Sequence, residues 1–476
     1  MTKKYHPYLR SIQFGNVRCF ASEQRLDFTN SNGNPSHFTL FLGENGCGKT
    51  TLLQLLALLR PDDEHFMKRY DKEGYRVAWT QVTGADAMRL THLPRVGHNT
   101  DVSVSFRCSS GLSEPAQFDL DFKVNIRTYG ASVRESPELS ESERFQTLTV
   151  GYGPLRHSVS AAVSAQLSFD SVEGLFSAQT PISSPEEWFF QYEYLANNRR
   201  ISKAARFAAG ERRDRVAALL KALLPGVMDL VPGTSTEYGK QSLVLFAVTP
   251  YGKVPVSRLG FGYQTTLAWV VDLAARMMVA YPESDDPLAE PAVVLIDEID
   301  LHLHPKWQRT LLTELSQRFP NVQFIATAHS PLIVQAAPDA NVAVFRREGD
   351  HVVIDQSLPS VRHWRVDQIL TSDLFRLPSA RDPSLDDKLG ERDRLLAKPS
   401  LTERDEARLA ELRDELGDLP GGQTKWEMEA MEVIQRAAKS LANKGVRDEV
   451  TPAKKKPAAK GAVTKGAKAK APRSKK

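Results

Sequence analysis

The run from His37 to Leu59, HFTLFLGENGCGKTTLLQLLALL, decides the fold. It contains Gly43-Glu44-Asn45-Gly46-Cys47-Gly48-Lys49-Thr50, a full match to G-x-x-x-x-G-K-[ST], with Thr51 following. Phe38 to Leu42 is a short apolar run of the kind a buried parallel strand requires. Thr51 to Leu59 is a leucine-rich helical run. Glycines in such a loop let backbone N–H groups approach phosphate oxygens, and the helix N-terminus adds the positive end of its dipole. Lys49 is placed to reach the β- and γ-phosphates and the Thr50 hydroxyl to hold Mg²⁺. The competing reading, a Gly-rich turn that binds nothing, leaves the strand before and the helix after unexplained. Lys49 is expected at an exposed loop, where it buries little apolar area.

A chain of 476 residues is long enough for two or more domains. Apolar content of 41% and charged content of 25% fit a soluble, globular chain. There is no apolar run of membrane-spanning length and no secretory signal, so no membrane is expected. Cys19, Cys47 and Cys108 have neither metal nor redox spacing, which fits a reducing, cytoplasmic setting. The net charge of +4 hides an asymmetry: residues 451–476 hold nine lysines and Arg473 with no acid, so residues 1–450 carry a net −6. The Lys/Ala/Pro tail cannot bury a core.

Five regions follow along the chain. Residues 1–157 hold the phosphate loop among β-type patterns, such as Val102, Val104 and Phe106 at alternate positions. Residues 158–230 read as a mainly helical insertion, and residues 231–360 return to strands. Residues 361–446 read as helical, with Thr402 and Asp405 forming a capping box before the stripe Leu409, Leu412 and Leu416, and with a second helix around 426–442. That region is either a helical hairpin on the body or a partner surface. Residues 447–476 read as a disordered basic tail. Strands alternating with helices mean an α/β fold with a largely parallel sheet.

The second chemical block is the apolar strand Ala292–Ile296 ending in Asp297-Glu298. An acidic pair at a strand's end, together with a phosphate loop, fits a Walker B site: Asp297 for the Mg²⁺ shell and Glu298 as general base for the attacking water. A second apolar strand, Val322–Thr327, is followed by His329.

DEIDLHLHPKWQ followed by FPNVQFIATAHSPLIV resembles the ABC-type ATPases of the RecF, SMC and OLD-like group. The turn GYGPLR and the stretch Asp367–Phe375 extend the likeness. The 248 residues between Lys49 and Asp297 suit a split head with an insertion better than AAA+ ring or RecA-like motors, which place the second motif nearer. The resemblance implies an ABC-type P-loop ATPase head, with antiparallel strands beside the parallel sheet, that hydrolyses ATP with Mg²⁺ in a head dimer or higher oligomer. His329 would be the switch histidine at the γ-phosphate. Val256–Gln264 stands where the signature segment should cap the opposite protomer's nucleotide, with Gly260 in the usual serine position and Gly262 retained. His302 and His304, an H-x-H pair, would lie in a dimer-interface loop, and a metal site is the other reading. Arg156 touches phosphate or substrate, or else forms a surface ion pair.

Within that group the chain resembles the ATPase subunits of Septu-type and retron-associated anti-phage systems, which implies DNA-associated defence or repair, with any nuclease supplied by a partner. The alternatives are a nucleotide-gated scaffold for a partner nuclease with little turnover and, less well matched, a transporter ATPase. The tail is either an electrostatic nucleic-acid tether or a solubility aid.

Overall fold

The computed structural model describes residues 3–416, apart from 61–65, 80–88, 96–99, 126–129, 136–142, 157–169 and scattered shorter stretches. The basic tail and the helix expected around 426–442 lie outside the described residues. The chain divides into two compact units, Met1–Leu377 and Pro378–Lys476.

The first unit opens with β1 (Lys3–Phe14), β2 (Gln24–Asp27), β3 (Phe38–Gly43) and α1 (Lys49–Leu58). Then come β4 (Phe66–Asp71), β5 (Gly74–Trp79), β6 (Asp101–Ser109), β7 (Phe118–Asn125), β8 (Gly130–Glu135), β9 (Glu143–Phe145) and β10 (Leu148–Tyr152). A helical pair, α2 (Pro185–Asn197) and α3 (Lys203–Leu223), leads to β11 (Asp229–Glu237), β12 (Lys240–Thr249), β13 (Gly252–Pro255) and the long α4 (Phe261–Ala280). The unit continues through β14 (Ala292–Ile296), α5 (Pro305–Gln308), α6 (Leu311–Arg318), β15 (Val322–Thr327), α7 (Pro331–Ala336), β16 (Asn341–Glu348), β17 (His351–Asp355) and α8 (Val366–Thr371).

The central sheet has the order β10-β14-β15-β3-β16-β17. It is parallel except for β17, which pairs antiparallel with β16 at the edge. β3, β14 and β15 are apolar on both faces because both faces are covered. The two-residue period of a strand divides them between two cores. Phe38, Leu40, Leu42, Val294, Ile296 and Phe324 face one side with α2, α3, α4 and α6. Phe41, Val293, Leu295 and Ile325 face the other, with α1 and the N-terminal sheet. That outer sheet runs β2-β1-β6-β7-β8 antiparallel, with β9 parallel to β1. In β6, Val102, Val104 and Phe106 are the buried set, as their alternation requires.

Two polar devices tie the layers. Gln323, fully buried in β15, accepts from the Leu9 N–H at 2.8 Å and donates to the Leu9 carbonyl at 2.8 Å. Its amide thus stands in for a neighbouring peptide where β1 shifts register against β6 between Leu9 and Ser11. Asp272 in α4, also fully buried, accepts from Tyr152 Oη (2.9 Å), Ser183 Oγ (2.9 Å) and Arg276 Nε (2.7 Å). Every oxygen of this carboxylate is matched, the condition for a charge inside a core.

The stretch read as mainly helical is α-helical over Pro185–Asn197 and Lys203–Leu223. Before it, Val172 and Leu175 pack into the α1 core, and Gln54 donates to the Leu175 carbonyl at 2.8 Å. The β4–β5 hairpin falls where the sequence reads only as mixed and polar; Lys68, Arg69, Asp71 and Arg76 mask its alternation. In the second unit, α9 (Asp386–Leu396) and α10 (Glu403–Leu416) pair through Arg408 and Glu391 at 2.9 Å and Lys388 and Glu415 at 3.0 Å. Thr402 and Asp405 exchange reciprocal hydrogen bonds of 3.1 and 3.2 Å, the expected capping box.

Candidate nucleotide site

The loop between β3 and α1 turns on Gly46 and Gly48, at φ of 80° and 82°. Both values lie in the left-handed region that a side chain disfavours. A Cβ on Gly48 would also stand 2.5 Å from Cys19 Sγ, so this position is closed to any other residue. α1 therefore starts with no side-chain cap, and its first N–H groups stay directed at the loop.

Lys49 departs from the exposed position expected of it. It is 7% exposed, and its ammonium donates to the carbonyls of Gly43 (2.7 Å) and Glu44 (2.8 Å). Burial lowers its pKa, while Cys47, Asp297, Glu298 and Asp300 act to raise it.

β15 lies between β3 and β14, and the ends of all three strands meet at the loop. Thr50 Oγ1 donates to Asp297 Oδ2 at 2.6 Å. Thr327 Oγ1, from the end of β15, donates to the other oxygen of Asp297 at 2.6 Å and accepts from the Glu298 N–H at 2.6 Å. The Asp300 carboxylate accepts from the His329 N–H at 2.9 Å. A cavity of about 460 Å³ is lined by residues of the loop from Asn45 to Thr51 together with Arg18, Asp297, Glu298 and His329. Its floor offers a hydroxyl and a carboxylate, hard oxygen donors of the kind Mg²⁺ takes alongside phosphate oxygens and water.

Glu298 has φ of 52°, the left-handed region, which costs a non-glycine residue on the order of 1–3 kcal/mol. Arg156 offsets that cost. It is 6% exposed, and one terminal nitrogen donates to the carbonyls of Asp297 (2.7 Å) and Glu298. Burial pushes the guanidinium down to about 10, with Asp297, Glu298 and Asp300 pulling upward, so it stays charged at neutral pH. Arg156 thus forms no surface ion pair; it holds the backbone of the acidic pair. Sequence reasoning missed this, and missed Thr327 and Asp300. The only signals were an arginine closing GYGPLR, a threonine ending an apolar strand and a third acid in DEID.

Gly260 and Gly262 open α4 and do not line this cavity. A Cβ on Gly262 would stand 2.2 Å from the His302 carbonyl oxygen, and the Phe261 ring packs edge-on against His302 at 4.7 Å. His304 caps α5, its Nδ1 accepting from the Lys306 N–H at 3.2 Å. The two histidines are accounted for by packing and capping. Among the described residues no group of three or more His, Cys, Asp and Glu side chains is placed to hold a metal.

The family described as "AAA domain, putative AbiEii toxin, Type IV TA system" matches residues 38–335, from β3 through the phosphate loop and the acidic pair to α7. The chain belongs to this family. The AAA domain implies nucleotide binding, and it spans every site residue described above except Arg18 and Cys19. The chain is 28% identical over 419 residues to the Septu protein PtuA of Bacillus mycoides (strain KBAB4), covering 87% of this chain and 51% of PtuA. It therefore spans about half the length of that relative. It is 24% identical over 387 residues to the retron Vc95 probable ATPase of Vibrio cholerae serotype O1 biovar El Tor, covering 71% of this chain and 73% of the other. Among solved structures it is similar to an SMC head bound to the C-terminal winged-helix domain of ScpA, with 12% identity and a TM-score of 0.40 over 73% of this chain and 98% of that one. Among the described residues no helix is long and apolar enough to cross a membrane.

Proposed function

We propose that this protein is a cytoplasmic ATPase of ABC type that hydrolyses ATP with Mg²⁺ between two heads and uses the cycle to open and close a dimer in anti-phage defence. The observation that carries this reading is the chain Thr50–Asp297–Thr327, with contacts of 2.6 Å, next to Glu298 at the rim of the phosphate-loop cavity. Lys49 and the loop N–H groups would bind the phosphates, and Thr50 and Asp297 would hold Mg²⁺. The metal would neutralise charge on the β- and γ-phosphate oxygens. Glu298 would take the proton of the attacking water. His329, facing the same cavity, would sense the γ-phosphate. Gly260 and Gly262 would present backbone N–H groups to the nucleotide of a second copy.

The relatives' names, a Septu protein and a retron probable ATPase, fit the defence reading, and a partner nuclease is part of the same proposal. Nucleic-acid contact, in part through residues 451–476, follows from ten basic residues without an aromatic. Such contact would be steeply salt-dependent and indifferent to sequence.

Gly260 lacks the hydroxyl expected in the signature segment, and this favours a second reading: a nucleotide-gated scaffold with little turnover. Steady-state ATP turnover, with and without DNA, separates the two. Glu298→Gln should bind ATP, hydrolyse it at least about a hundredfold more slowly and accumulate a nucleotide-held dimer. Single-turnover hydrolysis at the unsubstituted rate would reject Glu298 as the base.

A further inference from the structure

The α2–α3 pair is anchored at one end only. Trp188 and Phe189 of α2 and Val216, Leu219, Leu220 and Leu223 of α3 are buried in the core with α4. The ion pair of Arg213 with Glu193 marks the level where the anchoring stops. Beyond it, across residues 194–212, Ala209 is the one buried residue. Gly210 faces Ala196 across the pair, where an added Cβ would meet the Ala196 methyl at an ordinary 3.9 Å. This distal half displays Tyr194 at 64% and Phe207 at 71% exposure. Both exposed aromatics lie in the short segment that also carries a cluster of positive charge.

The charge is as unusual as the aromatics. Residues 194–212 contain Arg199, Arg200, Lys203, Arg206 and Arg212 against Glu211 alone, a net +4 on a body whose residues 1–450 sum to −6. Arg199, Arg200 and Lys203 are exposed at the turn and the first residue of α3. Cations that track a phosphate backbone, with aromatic faces on which bases stack, are the two components of single-strand recognition. Duplex DNA needs the cations but offers no unstacked base to Tyr194 or Phe207.

We infer that the tip of the α2–α3 hairpin is a docking surface for single-stranded nucleic acid, with Arg199, Arg200, Lys203 and Arg206 on phosphates and Tyr194 and Phe207 under bases. It is distinct from the nucleotide cavity and does not depend on ATP turnover. It is also distinct from the basic tail, which has no aromatic residue.

The test uses the full chain and two variants, one with Arg199, Arg200, Lys203 and Arg206 changed to Ala and one with Tyr194→Ser and Phe207→Ser. The probes are a labelled oligo-dT of about 16 nucleotides, the upper end of one binding site, and a duplex of the same length. The charge variant should bind oligo-dT more weakly and lower the salt slope by about 3, since each single-strand phosphate contact contributes about 0.7. The aromatic variant keeps every charge. It should lose roughly five- to a hundredfold on oligo-dT, the range for an aromatic removed from a base stack, and little on the duplex. The substituted side chains are largely exposed, so the melting temperature of both variants should stay near that of the unsubstituted chain. Unchanged oligo-dT affinity in both variants would overturn the proposal. So would equal losses on oligo-dT and duplex, or an aromatic variant without effect, because either would leave only a general anion-attracting patch.

Discussion

Replacing Arg156 by alanine removes two hydrogen bonds from a charged donor to main-chain oxygens of the acidic pair. Bonds to a charged group contribute about 1.5–3 kcal/mol each, so the gross loss is about 3–6 kcal/mol. Part of that is returned because a buried guanidinium no longer has to be desolvated, and its Nε has no partner. A net loss of about 2–4 kcal/mol is the working figure. It exceeds or matches the cost of holding Glu298 in the left-handed region, so the residue should relax toward ordinary backbone angles and swing its carboxylate away. Such a displacement of a general base costs about a hundredfold or more in kcat. The phosphate loop is untouched, so ATP affinity should change by less than about threefold. Arg156→Lys keeps a charged donor on a stem of different reach, and should recover part of the rate. Turnover kinetics and calorimetric ATP binding, run on Arg156→Ala, Arg156→Lys, Glu298→Gln and the Arg156→Ala/Glu298→Gln double variant, give the answer. If Arg156 acts through Glu298, the double variant is no slower than Glu298→Gln. Equal losses of affinity and rate, or additive losses in the double variant, would refute the reasoning. Should Glu298→Gln alone turn over normally, the fault lies with the base assignment instead.

Lys49→Ala should abolish measurable ATP binding in calorimetry while costing little fold stability, since Gly43 and Glu44, whose carbonyls it releases, line a second cavity beside the loop; retained binding would exclude the loop as the phosphate cradle. Gly262→Ala places a methyl group 2.2 Å from the His302 carbonyl and should cost about 1–3 kcal/mol while displacing the loop after the acidic pair; an unshifted melting temperature would show that this loop yields freely. Burial pushes the His37 imidazole down to about 4 from 6.5, where it lies parallel to and beside the stacked rings of Phe38 and Phe324. Between those two pH values only the unfolded chain takes up the proton, so stability falls as the pH is lowered through that window, by at most about 3 kcal/mol. His37→Phe should remove that part of the acid loss, and parallel stability–pH curves would count against it.

The core of the site is legible because local sequence dictates it. Gly46, Gly48 and Lys49 lie within four residues, and the strands feeding the site, fully covered on both faces, leave an unbroken apolar run at 292–296 and a mostly apolar one at 322–327. What stays hidden depends on distance along the chain. Arg156 meets the acidic pair from 141 residues away, and Thr327 reaches Asp297 from 30. Neither residue type is unusual where it stands, so no pattern announces the contact. Lys49 reads as exposed because lysine usually is; the carbonyls that draw it inward belong to loop geometry that only the folded turn creates. The order β10-β14-β15-β3 is likewise unreadable, since apolar runs specify that strands are buried and not which neighbour each takes.

Gln323 gives the molecule an internal reporter. Strand irregularities normally let amide protons trade quickly with solvent, yet the Leu9 N–H at the β1 irregularity is held by a side chain from the central sheet. It can exchange only when the two sheets part. Its deuterium uptake therefore times a single event, the separation of the outer sheet from the floor beneath the phosphate loop, and slower uptake on addition of nucleotide would measure how far ligand binding clamps the two layers together.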